Sequence, residues 1–150
     1  MKFDASAGGS QQPVVFETLT DWSKHDDEQI RYFSGTAIYT NTFRLKEKEP
    51  QSAYHLTFAG VHAAAQVFVN GHDAGTVWCS PWTVDITPYV KKGKNRLEIR
   101  VVNSLWNRLV GDANKAETDR IMLQNYPLAK PTDRLVTSGL TEGVKIVKMK

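Results

Sequence analysis

The feature that most constrains the fold of this sequence is a pair of alternating segments joined by Asn70-Gly71. Residues 65–69 place Ala65, Val67 and Val69 on one side, and the chain resumes after the turn through residues 73–78. An Asn-Gly dipeptide between two such segments predicts a type I′ turn, because both central residues of that turn need a positive φ. The sequence therefore predicts a β-hairpin at this point.

The same two-residue period recurs along most of the chain. In residues 54–58, for example, Tyr54, Leu56 and Phe58 alternate with polar side chains, which is typical of a strand with one buried face. Further strands are predicted at residues 14–19, 35–45, 82–86, 96–103 and 143–149. Helical signal is confined to short pieces within 105–110 and 117–124, inside the least regular stretch, 104–141. The pattern predicts an all-β, jelly-roll β-sandwich of about eight strands in two antiparallel sheets.

Length and composition indicate one domain over residues 1–150. The chain has 150 residues, no internal repeat and no internal linker, and its only cysteine, Cys79, cannot form an internal disulfide. No apolar run approaches the roughly 20 residues of a membrane span, so we expect no membrane partner. Because the first residues already have strand character and no apolar signal core, we expect the chain to be a fragment of a larger multidomain protein.

The net charge of +3 and the pI of about 9.0 raise the question of nucleic-acid binding. The lysines cluster at 46–48, 91–94 and 145–150, beside turn residues or at the chain end. No stripe of basic residues interleaved with aromatic residues is present, so the distribution argues against nucleic acid as a partner.

No pattern of a catalytic or metal site is present. The acidic run Asp26-Asp27-Glu28 favours a solvated loop, and Cys79 has no local base, so we expect a buried or half-buried thiol. His55, His62 and His72 match no zinc spacing. We predict no catalytic residue and no cofactor; a structural calcium held by loop carbonyls and Asp26 or Asp27 stays open, because carbonyl ligands leave no trace in the sequence.

Residues suited to sugar contact are present. Aromatic faces can stack on sugar rings, and amide, carboxylate and guanidinium groups can bond to hydroxyls. The candidate ligand-binding residues are Trp22, Arg31, Tyr32, Asn107, Arg108 and Asp112. For the last three, an internal network of hydrogen bonds and ion pairs is an equally open interpretation. The other tryptophans have structural interpretations: Trp78 and Trp82 are expected to cap the core, and Trp106 with Leu109 to attach their loop to it.

Several blocks resemble a known family. Residues 31–43, 58–71 and 81–87, with the turn 93–95 and the strand 97–101, resemble the sugar-binding domain of family 2 glycoside hydrolases. Residues 103–112 and Ser138-Gly139-Leu140 resemble the C-terminal domain of the α-L-rhamnosidases of glycoside hydrolase family 106. Thr141-Glu142-Gly143 departs from the Leu-Gly-Pro that is more familiar after this Ser-Gly-Leu.

The resemblance implies a galactose-binding domain-like jelly roll, non-catalytic in itself, attached to a separate catalytic barrel that carries the general acid and base. It implies two partners, that barrel and a rhamnose- or galactose-containing glycan, and a periplasmic or extracellular location. By analogy, the loop 22–32 and the segment around Asn107 could reach towards the barrel's active site. A purely structural domain packed on the barrel and a free-standing lectin-like module are the alternatives.

Overall fold

The structure is a computed structural model that describes residues 1–122 and 128–149. The strands are β1 (Lys2–Phe3), β2 (Thr36–Leu45), β3 (Ala53–Phe58), β4 (Val61–His62), β5 (Ala64–Val69), β6 (His72–Val77), β7 (Thr83–Asp85), β8 (Gly93–Val102), β9 (Gly139–Leu140) and β10 (Val144–Met149). The α-helices are α1 (Glu28–Arg31) and α2 (Trp106–Ala113), and single 3-10 turns lie at Ala5–Ala7, Trp22–Lys24 and Glu117–Asp119. None of the helices in these two ranges is long and apolar enough to cross a membrane.

Two antiparallel sheets face each other across one main core. The larger sheet has the order β1-β2-β8-β5-β6, the smaller has β10-β3-β7, and β4 pairs separately with β9. Alternate residues of β3, β5 and β8 are buried between the sheets, as the two-residue period predicts. The predicted β-sandwich is confirmed; among the described residues it has ten strands rather than about eight, because β1, β4 and β9 are two-residue pairings too short for a periodic signal.

The predicted hairpin joins β5 to β6. Asn70 has φ 53° and Gly71 has φ 88°, the positive values that the type I′ turn requires. The Asn70 side chain also donates to the Tyr89 carbonyl at 2.8 Å and to Asn95 Oδ1 at 2.9 Å. The turn is therefore tied to the connection that precedes β8.

Irregular segments gather at one end of the sandwich, which we call the loop end. Cross-strand pairing aligns Thr36 with Val102 and Val102 with Ala64, so β2 and β5 begin where β8 ends. Residues 59–63 connect β3 to β5 at this end, and Phe58 pairs with Val144. Residues 20–35 and 103–143 enter or leave strands here.

Three sequence-based expectations are wrong. Residues 14–19 form no strand: the neighbouring β1 is two residues long, so only Val14 finds a backbone partner, Met1, and Val15 is 87% exposed. Trp78 is 71% exposed because Val77, one position earlier, takes the inward side, whereas Trp82 does pack on the core as predicted. Cys79, beside Trp78, is exposed rather than buried.

The helical prediction for 105–110 is confirmed by α2, and the prediction for 117–124 is met by one 3-10 turn, with residues 123–124 outside the described ranges. Trp106 and Leu109 pack in a second small cluster with Val110 and Ala129, separate from the main core. A fourth expectation, that Trp106 and Leu109 attach their loop to the main core, is therefore wrong, and within the segment 104–141 Leu140 packs in that core instead.

Candidate functional site

A hydrogen-bond network centred on Ser138 holds the loop end together. Its backbone N–H donates to Asp21 Oδ1 at 3.0 Å, and its carbonyl accepts from the Trp22 N–H at 3.1 Å. Its hydroxyl accepts from the side-chain amides of Asn103 at 3.3 Å and Asn107 at 3.1 Å. One buried serine therefore joins the segment before α1, the end of β8 and the start of α2.

Asn107 is fully buried on α2, and in addition to Ser138 its side-chain amide bonds to both backbone groups of Val136. Its Nδ2 donates to the Val136 carbonyl at 2.7 Å, and its Oδ1 accepts from the Val136 N–H at 2.8 Å. The side chain thus pairs with residue 136 much as a neighbouring strand would. This geometry agrees with the interpretation that Asn107 belongs to an internal hydrogen-bond network. Contact between Asn107 and a ligand stays a prediction.

Arg108 and Asp112 lie one turn apart on the same helix, and both are buried. Arg108 Nη2 donates to the carbonyls of Ala7 and Gly8 at 3.3 Å, and Asp112 Oδ2 accepts from the Met122 N–H at 2.8 Å. Burial lowers the pKa of the Arg108 guanidinium, and the nearby Asp112 acts in the opposite direction. These two candidates connect α2 to the N-terminal segment and to residue 122.

Trp22 lies in the main core with no exposed surface. Its Nε1 donates to the Tyr39 hydroxyl at 2.7 Å, and the Leu140 N–H donates to the same oxygen at 3.3 Å. Burial raises the pKa of Tyr39 to about 12. Gly139, at φ +88°, lies so close that a Cβ there would be 2.4 Å from the Trp22 ring. In this chain Trp22 therefore has no free face on which a sugar could stack.

Arg31 and Tyr32 are the two candidates that keep partial exposure. Arg31 pairs with Glu28 at 2.9 Å, and its guanidinium lies 5.0 Å from the centre of the Tyr32 ring. Tyr32 in turn packs against Gly111 of α2, where a Cβ would be 2.6 Å from Tyr32 Cγ. The structure thus brings Tyr32 to the helix that carries Asn107, Arg108 and Asp112, while Trp22 connects to that helix through Ser138.

A pocket of about 550 Å³ opens at the loop end beside this network. We call it the loop-end pocket; it is lined by Thr20, Asp21, Lys24, His25, Asp26, Thr137 and Thr141. Sequence reasoning missed it, apart from Asp26 as a calcium candidate, because two segments more than a hundred residues apart supply the lining. Its hydroxyl, carboxylate, ammonium and imidazole groups can exchange hydrogen bonds with sugar hydroxyls.

Asp21 is the most constrained side chain in this pocket. Burial tends to raise its pKa, but bonds to Oδ1 from the Ser138 N–H and from the N–H and hydroxyl of Ser23 prevail, and the pKa of Asp21 lies below its ordinary value. The carboxylate is ionised at neutral pH and so serves as an acceptor, not as a general acid.

The predicted calcium ligands, Asp26 and Asp27, differ in the hydrogen bonds that they already make. Asp27 Oδ1 accepts from the Gln29 N–H at 2.8 Å and caps α1, and Asp26 lines the loop-end pocket. Within residues 1–122 and 128–149, no three His, Cys, Asp or Glu side chains converge as metal ligands. A calcium site that also draws on carbonyl oxygens stays a prediction.

The chain is similar in sequence to a family of glycosyl hydrolase domains and to parts of larger glycoside hydrolases. The family model described as glycosyl hydrolase 2 galactose-binding domain-like matches residues 16–132. A putative beta-glucuronidase of Formosa agariphila is 42% identical over 101 residues, which are 66% of this chain and 9% of the relative. A beta-galactosidase of Staphylococcus xylosus is 30% identical over 99 residues, which are 65% of this chain and 10% of the relative.

Solved structures show the same likeness. The rhamnosidase from Novosphingobium sp. PP1Y superposes with a TM-score of 0.91 at 35% identity, over 98% of this chain and 14% of that one. A beta-glucuronidase from Ruminococcus gnavus matches 65% of this chain with a TM-score of 0.54 at 20% identity, and so shares the fold alone. The chain spans about a tenth to a seventh of the length of these larger proteins.

Proposed function

We infer that this chain, which belongs to the glycosyl hydrolase 2 galactose-binding domain-like family, acts as a non-catalytic accessory domain of a larger glycoside hydrolase. Family membership confirms the predicted galactose-binding-like fold. One observation carries the inference: the match to the Novosphingobium rhamnosidase covers 98% of this chain but 14% of that protein. A domain of this size is thus one part of such an enzyme, and the catalytic domain is its proposed partner within the same parent chain.

An α-L-rhamnosidase-like parent is the specific form of this proposal. The rhamnosidase aligns with nearly the whole chain at 35% identity, including α2 and the 128–140 segment that completes the Ser138 network. The glucuronidase and galactosidase relatives match about two thirds of it. The proposed glycan accordingly contains rhamnose or galactose, and the proposed location is periplasmic or extracellular.

The loop-end pocket is the proposed point of contact with carbohydrate. Its charged and hydroxyl groups include both hydrogen-bond donors and hydrogen-bond acceptors. The ionised Asp21 is held in place by hydrogen bonds from Ser23 and Ser138. A preorganised acceptor loses little entropy on binding, which favours a sugar hydroxyl as the donor. Catalysis is left to the rest of the parent enzyme.

A purely structural accessory domain is the competing function. The observation in its favour is that four of the six candidate residues, Trp22, Asn107, Arg108 and Asp112, are buried. Their bonds join chain segments to one another, as a rigid wedge packed on a catalytic domain would require. The two functions differ in whether the loop-end pocket binds sugar.

Isothermal titration of the domain with rhamnose- and galactose-containing oligosaccharides separates them. We expect measurable binding that the charge-conserving double variant Lys24→Ala/Asp26→Ala weakens at least about tenfold, since both side chains line the pocket and are exposed. The matched control is Lys46→Ala/Glu47→Ala, an exposed pair outside the pocket, which should bind like the unchanged domain. If none of these sugars produces a heat of binding, the result would contradict sugar binding and favour the purely structural function.

A further inference from the structure

The outer face of the larger sheet is strongly basic. The inward positions of β8 are Asn95, Leu97, Ile99 and Val101, so the even-numbered residues between them face outwards. The outward cations on this sheet are Lys2, Arg44, Lys94, Arg96 and Arg100, and the carboxylates on its strands are Asp73 and Glu98. Five cations against two carboxylates leave +3, so the other 14 cations and 14 carboxylates of the chain balance each other. The strands of this sheet therefore carry a net charge of +3, equal to that of the whole chain.

Cross-strand pairing concentrates these charges instead of scattering them. Arg44 lies opposite Lys94, and Lys2 and Arg100 flank Ile38, which pairs with both. Along β8, Arg96 and Arg100 are four residues apart, a distance of about 13 Å. The result is a regular array on one sheet face, an arrangement that an extended chain with repeated negative charges can follow.

The two arginines at the centre of this array are held in position. Glu98 pairs with Arg96 at 3.2 Å and with Arg100 at 2.9 Å, and the Arg100 guanidinium lies 4.3 Å from the centre of the Phe68 ring. Glu98 is 17% exposed in its side chain, whereas Arg96 and Arg100 are 63% and 43% exposed. The carboxylate thus lies below the guanidinium groups, whose remaining N–H groups face the solvent.

A shallow depression of about 170 Å³ marks the same place. It is lined by Phe68, Gly71, Arg96, Glu98 and Arg100. The outward neighbours on β2 are Thr40 and Thr42, which pair with Glu98 and Arg96, and Gln66 of β5 pairs with Arg100. Fixed cations, hydroxyls and an amide are groups that bind a sugar carrying an acidic substituent.

We propose that this face, the basic face, binds an anionic polysaccharide through its carboxylate or sulfate groups. The inference rests on the proposed function for the carbohydrate nature of the ligand, and it adds a second contact surface, on a sheet face rather than at the loop end. A polysaccharide is favoured over a nucleic acid because the only aromatic ring in the depression, Phe68, is covered by Arg100 and is not free to stack on a base.

Affinity electrophoresis of the domain tests the proposal. Gels containing polygalacturonate, a sulfated galactan or neutral galactan at equal mass are compared, at low and moderate salt. We expect either anionic polymer to retard the domain at least about tenfold more strongly than the neutral one, and added salt to reduce the effect because the cations are exposed. The relative retardation by the two anionic polymers identifies which substituent binds.

The test variant is Arg96→Gln/Arg100→Gln, which removes two charges from the basic face. The matched control, Lys130→Gln/Lys145→Gln, removes two exposed charges elsewhere, Lys145 being on the smaller sheet. We expect the test variant to lose about tenfold or more in affinity and the control to stay within about twofold. Equal losses in the two variants would show charge attraction without a site and would overturn the proposal.

Two further outcomes separate this inference from the proposed function. If neutral oligosaccharides bind at the loop-end pocket but neither anionic polymer binds the basic face, only the present inference fails. If no carbohydrate of any charge binds, both fail. Stronger binding of a single-stranded oligonucleotide than of either anionic polymer, lost in the same Arg96/Arg100 variant, would assign the face to nucleic acid and contradict the proposal.

Discussion

At the scale of single residues, Tyr39 joins the main core to the loop end through one hydroxyl that accepts from Trp22 and Leu140. Burial raises the pKa of Tyr39 to about 12, above the ordinary value of 10.0, so the folded state holds this proton more tightly than the unfolded chain. The associated stability is complete below pH 10 and is lost as the pH rises through about 12, in total about 2–3 kcal/mol.

The Tyr39→Phe variant isolates this contribution from the lysines that titrate in the same range. We expect the free energy of unfolding of the unchanged domain to fall more steeply between about pH 10 and 12 than that of the variant, measured by denaturant titration at each pH. Parallel pH profiles for the two proteins would show that the hydroxyl is not buried as described.

Gly139 illustrates why the Ser138-Gly139-Leu140 tripeptide tolerates little change. Alanine there adds a Cβ 2.4 Å from the buried Trp22 ring at a φ of +88°. We expect Gly139→Ala to lower the free energy of unfolding by about 3 kcal/mol or more, from strain and overpacking together. Gly71→Ala is the matched control, because Gly71 has the same φ and nothing within 4 Å of the added Cβ. Its expected cost is about 1–2 kcal/mol, from the positive φ alone; equal costs for the two would contradict the packing around Trp22.

At the scale of elements, α2 holds residue 136 in place through the Asn107 amide. We expect Asn107→Ala to cost about 2–4 kcal/mol, because the fully buried side chain leaves a cavity and the Val136 N–H and carbonyl lose their partners. Hydrogen exchange should show the Val136 amide losing protection first. Asn114→Ala, which removes a single bond from the exposed Asn114 side chain to the Val110 carbonyl, should cost less than about 1 kcal/mol. Unchanged protection at residue 136 would show that the pairing is absent.

Elements with a strict local pattern were predictable from the sequence, and elements made by distant contacts were not. Asn70-Gly71 requires one turn type whatever surrounds it, and the alternation of residues 54–58 permits one buried face. Residues 14–19 have strand composition too, but a strand needs a partner ladder and β1 offers only Met1 beyond its two paired residues. The strand prediction for residues 14–19 was wrong because β propensity alone does not form a strand where no sheet edge is available for pairing.

At the scale of the whole molecule, the candidate site likewise has some features that local sequence indicates and others that depend on distant contacts. The polar character of Asn107, Arg108 and Asp112 was visible in the sequence, but their burial depends on Ala7, Met122 and Val136, which no local pattern connects to α2. The loop-end pocket depends likewise on residues 20–26 meeting 137–141. The basic face was obscured because its cations come from three strands, and two of these, β2 and β8, are neighbours in the sheet although β3 to β7 lie between them in the sequence.

The central claim is that this domain contacts carbohydrate at its loop end and leaves bond cleavage to the rest of its parent. Amide chemical shifts of the labelled domain, followed during titration with a rhamnose- or galactose-containing oligosaccharide, test it most directly. We expect saturable shifts at residues 20–26, Thr137 and Thr141, with the Asn70-Gly71 turn at the opposite end unchanged and the oligosaccharide intact. Saturable shifts centred on that turn, no shifts at all, or release of cleaved sugar would contradict it.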